Sequence, residues 1–290
     1  MTREAILVAC AKMPESNGDE HAVLPALRDL GFAPRWASWD DKTVDFGAAE
    51  VVILRATWDY PDRREEFLDW CESVPALCNP AAVARWNTDK TYLSELIDAG
   101  VPTVATTLVE PGDDFRWPDK DFVVKPSVGA GSVGVARFTA DATGAAAGHL
   151  AKLHAEGRTA LIQPYQSSVD TEGEIALVFF GGIYSHAFAK GAMLGRSTMD
   201  ASGMYVSEKL AVAKPSAAFR ALAEDALDAA ASLLGLLRAE LLYARVDVVG
   251  GEGGKPLLLE LELTEPSLGF RQADEDAPLR FASAVRQQLA

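Results

Sequence analysis

Apolar and polar positions change period several times along this chain, and each change marks an element. In residues 241–249 and again in 256–263, apolar side chains alternate with Arg245 and Asp247, then with Glu260 and Glu262. A period of two is that of a β-strand, whose alternate side chains share a face, so each strand presents its two charges on one surface. The run Gly250-Gly251-Glu252-Gly253-Gly254 has turn composition and makes the pair a hairpin. Near the N-terminus, strand patterns at residues 5–9, 33–39 and 51–54 alternate with a helix over about 20–30 that Gly31 closes, which predicts a small parallel sheet. A helix capped by Asn87 or Thr88 and stopped by Gly100 follows, with Lys90 in its first turn. The pattern then predicts strands at 104–109, 122–126, 159–162, 174–180 and 183–190, with helices over about 143–155 and 216–237. The expected class is α/β (α+β) in three parts: an α/β unit at 1–86, a central unit at 87–162 and a C-terminal unit at 163–290.

The charged alternation carries chemistry. Three carboxylates on neighbouring strands repel one another unless a cation joins them, and the flanking residues are too apolar for a merely solvated edge. Clustered oxygens suit a hard ion such as Mg²⁺, which fills its remaining positions with phosphate and water. A second motif strengthens that reading. The apolar run Phe122-Val123-Val124 leads to Lys125 and then to Pro126-Ser127-Val128-Gly129-Ala130-Gly131-Ser132-Val133-Gly134. Backbone N–H groups of such a loop can approach phosphate oxygens closely, while the lysine supplies a point charge. The Gly129-x-Gly131-x-x-Gly134 spacing matches a dinucleotide fingerprint, but that fingerprint must open a helix, and residues 133–138 read as a strand. A P-loop is excluded because the lysine precedes the glycines.

These motifs, in this order, resemble the ATP-grasp ligases, and the resemblance covers nearly the whole chain. It implies an ATP-grasp fold in which two α+β subdomains clamp ATP beneath a glycine-rich lid. By that resemblance Lys90 and Lys125 contact phosphates together with Ser127, Gly129, Gly131 and Ser132. Gln163 and Tyr165 form the adenine hinge, and Glu174 holds the ribose. Arg245 is similar to the arginine that stabilises the transition state, and Asp247, Glu260 and Glu262 to the Mg²⁺ ligands. Asp247 and Glu260 stand 13 positions apart (247 to 260), a spacing similar to that of D-alanine:D-alanine ligases. The last ligand in the family is usually asparagine, so Glu262 is a departure that leaves its coordination open. The combination of Leu54-Arg55-Ala56-Thr57-Trp58-Asp59-Tyr60, Asn79-Pro80, Trp86-Asn87-Thr88-Asp89-Lys90 and residues 260–268 resembles the branch containing the cyclo-ligase of cycloserine biosynthesis, which closes a ring from an O-ureido-serine with ATP.

Other features narrow the picture further. A net charge of -15 argues against nucleic-acid binding, which needs stripes of Lys and Arg. Cys10, Cys71 and Cys78 are scattered and odd in number, as expected of reduced, buried thiols. No transmembrane run is legible, and a cytoplasmic enzyme is expected; a homodimer stays open as its assembly. Ligands of parallel sheets sit beyond the carboxyl ends of the strands. Asp19, Glu20, Arg55, Thr57, Trp58, Asp59 and Tyr60 are therefore expected to form the rim that takes an amino-acid-like substrate. Residues 191–203, rich in Gly, Ser and Met, read as an active-site loop flanked by Lys190 and Arg196 that could bind phosphate or carboxylate. His186 reads as a structural residue more readily than as a general base. The function expected is an ADP-forming carboxylate–amine ligase. A dipeptide ligase, a noncatalytic ATP sensor and, on the glycine spacing alone, a nicotinamide oxidoreductase are the rival readings.

Overall fold

The computed structural model of the protein describes residues 3–192, 199, 202–205 and 209–289. Strands β1 (Arg3–Ala9), β2 (Phe32–Ser38), β3 (Val51–Ala56) and β4 (Leu77–Cys78) form a parallel sheet in the order β2-β1-β3-β4, with helices α1 (Val23–Asp29) and α2 (Arg64–Ser73) in the crossovers and α3 (Ala81–Asn87) after β4. The period of two explains its layering. Ala5 and Leu7 of β1 join Val51 and Ile53 in one core, while Ile6 and Val8 join Val52 and Leu54 in another. The helix expected over 20–30 is split: residues Asp19–Ala22 form a 3₁₀ turn, because Pro25 falls within the first turn of the following α1 and lacks a donor N–H.

Helix α4 (Tyr92–Asp98) starts later than its sequence suggests. Lys90 therefore lies in the turn before the helix, not in its first turn, where its backbone N–H donates to the Ser127 carbonyl at 2.8 Å. A second sheet, ordered β5-β8-β6-β7, contains β5 (Thr107–Val109), β6 (Phe122–Pro126), β7 (Ala136–Phe138) and β8 (Ala160–Pro164), and is backed by α5 (Thr143–Ala155). The expected strand at 104–109 thus shrinks to its last three residues, since Val104 instead donates to the Leu258 carbonyl of the third sheet.

That third sheet is ordered β11-β10-β9-β12-β13, from β9 (Glu174–Phe180), β10 (Ile183–Lys190), β11 (Leu210–Val212), β12 (Tyr243–Gly250) and β13 (Pro256–Glu262). Helix α6 (Ala217–Leu234) packs on it through Leu222, Ala223, Ala226, Leu227 and Ala230. Gly235 in the left-handed conformation ends that helix three residues before the expected limit. Helix α7 (Ala277–Gln287) buries Phe281 and Val285 against the first and third sheets in a single core with Leu27, Phe180 and Tyr243. Among the described residues no helix is long and apolar enough to cross a membrane. Most of the loop expected to order over substrate, Arg196 included, lies outside the described residues.

Asn79 joins the first sheet to the third. Its Nδ2 donates to the carbonyls of Tyr243 (2.8 Å) and Leu263 (2.6 Å), and its Oδ1 accepts from the Leu242 N–H at 2.8 Å. Its own φ is +56°, a conformation that asparagine tolerates better than most residues. Replacing it orphans three buried backbone groups, each costing about 1–3 kcal/mol. Asn79→Ala should destabilise the fold by at least about 3 kcal/mol in urea unfolding, whereas a change within about 0.5 kcal/mol would show that this joint carries no weight.

Candidate active site

Strands of the second and third sheets, with loops that follow β1 and β3, line a cavity of about 390 Å³ whose wall carries Lys90, Lys125, Lys190, Arg245, Glu260 and Glu262. Strand pairing brings the acidic floor together. Arg245 lies opposite Glu262 and Asp247 opposite Glu260 in the β12–β13 register. Glu174 and Lys190 are cross-strand partners in β9–β10, and β9 pairs with β12 so that Ala176 faces Asp247. Lys190 and Asp247, 57 residues apart in sequence, thereby become neighbours.

Asp247 is fully buried and receives Lys190 Nζ at 2.8 Å and both Nε and Nη2 of Arg245 at 2.9 Å. Burial alone would raise its pKa, but Arg245 and Lys190 outweigh it and hold the carboxyl well below its ordinary value. Lys190 also pairs with Glu174. The contest is unequal, because Asp247 has a second cation. Glu174, with burial dominant and Asp247 nearby, is pushed up to about 8. Glu262 is pushed up to about 7, chiefly by burial, although Arg245 pairs with it. Glu260 behaves oppositely: Lys90 at 3.1 Å and the charge of Lys125 overcome burial and lower it to about 2. Single oxygens of Asp247, Glu260 and Glu262 all lie within 4.8 Å of one another. Opposite ligands of an octahedral Mg²⁺ at about 2.1 Å stand about 4.2 Å apart, so this donor set fits such an ion with little movement.

The glycine-rich loop forms the opposing wall through Gly129, Gly131 and Ser132. Lys90 Nζ donates to the Gly129 carbonyl at 2.7 Å, which ties the loop to Glu260 across the cavity. At Gly131 the φ is +60°, and a Cβ there would stand 2.4 Å from the Met204 carbonyl oxygen. Only glycine permits this approach. Ser127, nearly buried, does not line the cavity; its backbone links Lys90 to Thr159. Lys125 is buried, and that burial, with Lys90 beside it, lowers its pKa despite Glu260. Gln163, Tyr165 and Glu174 line the same cavity. Gln163 donates to Thr106 Oγ1 at 2.8 Å, and the Tyr165 ring lies 3.6 Å from the Arg137 guanidinium carbon.

The expected substrate rim is placed differently. Of its seven residues Trp58 and Tyr60 reach the cavity wall. Arg55 is completely buried, pairs with Glu20 at 3.0 Å and donates to the Pro266 carbonyl at 2.6 Å. Asp19 accepts from the Arg271 N–H, Thr57 is buried behind the wall, and Asp59 is held by Trp39 and Arg63. Asp19, Arg55 and Trp58 join the first unit to residues 265–271, because a strand end that meets another part of the chain is covered by it. His186 is structural: its Nε2 lies 2.7 Å from the Leu268 carbonyl, which can only accept, so that nitrogen carries the proton. Sequence reasoning passed over Asn17, Glu265 and Arg271, all in the cavity wall. Glu265 lay just beyond the alternating strand, where the period that flagged Glu260 and Glu262 stops. The three cysteines are buried and free, as expected.

An architecture of three sheets clamping a cavity between a glycine-rich hairpin and a carboxylate hairpin defines the ATP-grasp ligases. D-alanine–D-alanine ligase from Bacillus anthracis superposes over 99% of this chain and 97% of its own with a TM-score of 0.66, at 15% identity. The ATP-grasp ligase PsnB, solved with a minimal precursor, gives 0.63 at 19% identity over 99% of this chain and 100% of its own. The relationship is closer to a particular member. The crystal structure of D-cycloserine synthetase DcsG matches with a TM-score of 0.89 and 37% identity, covering 99% of this chain and 100% of that one. Residues 5–81 match the model of the DcsG N-terminal domain, and the cycloserine biosynthesis protein DcsG of Streptomyces lavendulae is 39% identical over 285 residues, 93% of this chain and 94% of the relative. The chain belongs to the DcsG family of ATP-grasp ligases.

The raised carboxyls give a signed pH dependence. Glu174, Glu262 and Glu265, the last pushed up to about 8 mainly by burial, bind protons in the folded state that an unfolded chain has released. Their contribution to stability is therefore full below the unfolded value of about 4.3 and is lost as pH rises through about 7–8. The groups with lowered values, Asp247 and Glu260, are already ionised in both states across that upper window. The Tm of the ligand-free protein should fall between about pH 6 and pH 8.5, and Mg-ATP should restore more at the upper end. A flat or rising Tm over that window would contradict this charge arrangement.

Proposed function

We propose that this enzyme is an ADP-forming carboxylate–amine ligase that activates a small amino-acid substrate as an acyl phosphate, with ring closure of an O-ureido-serine as its most specific form. The observation that carries the reading is the convergence of Lys90, Lys125, Lys190 and Arg245 with Asp247, Glu260 and Glu262 around a single cavity. Binding alone would need fewer charges.

In this reading a substrate carboxylate oxygen attacks the γ-phosphorus of ATP, the bond to the bridging oxygen breaks, and ADP leaves. A nitrogen then attacks the acyl carbon. Inorganic phosphate departs with the C–O electron pair, and the proton lost by the nitrogen passes to a phosphate oxygen. Phosphoryl transfer demands charge neutralisation and alignment more than covalent help. Lys90 and Lys125 supply charge beside the glycine-rich loop, and Lys190 is held at the floor by Asp247 and Glu174. Mg²⁺ held by Asp247 and Glu260, with Glu262 as a third donor, would neutralise the triphosphate. Arg245 is oriented by Asp247, by Glu262 and by the Ser267 carbonyl at 3.0 Å, and so can stabilise the oxyanion formed on nitrogen attack.

The test is phosphate and ADP release across D- and L-amino acids and O-ureido-serine, with mass spectrometry of the products. Release that depends on an amino acid supports the reading, and a cyclic or linear product decides between ring closure and dipeptide synthesis. Release indifferent to every added substrate would overturn it. Arg245→Ala should lower kcat by about 10²-fold or more while the Mg-ATP thermal shift persists; turnover within a few-fold of the native enzyme would remove Arg245 from the mechanism.

A further inference from the structure

The cavity meets a carboxylate that the reaction just described does not use. Glu20 is sealed behind the wall by Arg55, whereas Glu265 is only 8% exposed and lies in the wall itself, beside Tyr60, Trp58 and Asn17. Glu265 is fixed at both ends. Its backbone carbonyl accepts from Trp58 Nε1 at 3.1 Å, and its side chain interacts with the hydroxyl of Tyr60, itself 2% exposed and stacked on Phe67. The nearby cations are engaged elsewhere: Lys90 pairs with Glu260, Arg245 with Asp247 and Glu262, and Arg55 with Glu20. A buried carboxyl that faces a cavity beside a phenol keeps its proton unless a ligand brings a positively charged donor that favours the carboxylate. It also stands apart from the three carboxylates that converge on the cation position.

An amino acid offers a donor with the right placement. The carboxylate to be phosphorylated belongs beside Arg245 and Lys190, and the ammonium is one carbon removed from it. Glu265 lies three residues beyond Glu262 on the same segment, close enough to feel the charges of Glu262, Lys90 and Glu260. We propose that Glu265 is a specificity-determining residue that receives the α-ammonium group of the amino-acid substrate, with the Tyr60 hydroxyl orienting its carboxylate. The proposal rests on the ligase reading, and names the feature of the substrate that this cavity selects.

The test compares O-ureido-serine and D-alanine with their des-amino counterparts, in which hydrogen replaces the ammonium, using the native enzyme, Glu265→Gln and Tyr60→Phe. The native enzyme should favour the amino acid over its des-amino partner by about 10- to 100-fold in kcat/KM, as expected for a hydrogen bond to a charged group. Glu265→Gln should bring that ratio close to one, mainly by raising KM for the amino acid, with the Mg-ATP thermal shift preserved. Tyr60→Phe, which keeps the stacked ring, should reduce the ratio part-way and gives an independent measure should Glu265→Gln fold poorly. Unchanged discrimination in Glu265→Gln, or equal losses on both substrates of a pair, would overturn the proposal while leaving the ligase reading intact. A native enzyme that binds Mg-ATP but releases no phosphate with any amino acid would instead defeat the ligase reading, and this inference with it.

Discussion

The site depends on how the backbone leaving β13 is held. From residue 263 to residue 268 the chain has left the sheet, and it runs through the interior where water cannot satisfy its carbonyls. Each is met by a side chain: Leu263 by Asn79, Thr264 by the Tyr243 hydroxyl, Glu265 by Trp58, Pro266 by Arg55, Ser267 by Arg245 and Leu268 by His186. Just upstream, Tyr92 and Asn87 both bond the Leu261 carbonyl, and Asn87 Oδ1 accepts from the Leu263 N–H at 2.6 Å. An irregular segment thereby gains the rigidity of a paired strand, which chemistry near Glu260, Glu262 and Glu265 requires.

This strapping also explains the short motifs that cluster in the first half of the chain. Arg55, Trp58, Asn79 and Asn87 all reach the same eight-residue stretch near the C-terminus, so the parallel sheet serves as a clamp for the catalytic hairpin. The completely buried Arg55–Glu20 pair fits that role. A buried ion pair adds little net stability, but removing either partner would leave a charge stranded, which makes the joint highly specific.

Inside the cavity the same logic governs charge. Lys190 between Glu174 and Asp247, Lys90 between Gly129 and Glu260, and Arg245 between Asp247 and Glu262 form a chain in which every carboxylate competes for a cation. Asp247 and Glu260 win, and their pKa values are lowered, whereas those of Glu174 and Glu262 are raised. A triphosphate with its cation would redraw these pairings, since it brings new negative charge to the lysines and new positive charge to the acids.

The periodicity of the chain determined a good deal by itself. Alternation fixes which side chains share a strand face, and this is a local property, so Arg245, Asp247, Glu260 and Glu262 were legible together, as were the parallel sheet, β9, β10 and the glycine-rich hairpin. The same locality explains what escaped. Asn87 looked like a helix cap and Arg55 like a substrate ligand, because nothing nearby in sequence reveals that Leu261 or Pro266 needs a partner. Only the tertiary structure decided that Asp19, Arg55 and Trp58 bond to residues 265–271, that Glu265 faces the cavity while Glu20 does not, and which carboxylates have their pKa values lowered. Those outcomes depend on burial and on neighbours more than 200 residues away in the chain, and no local pattern encodes them.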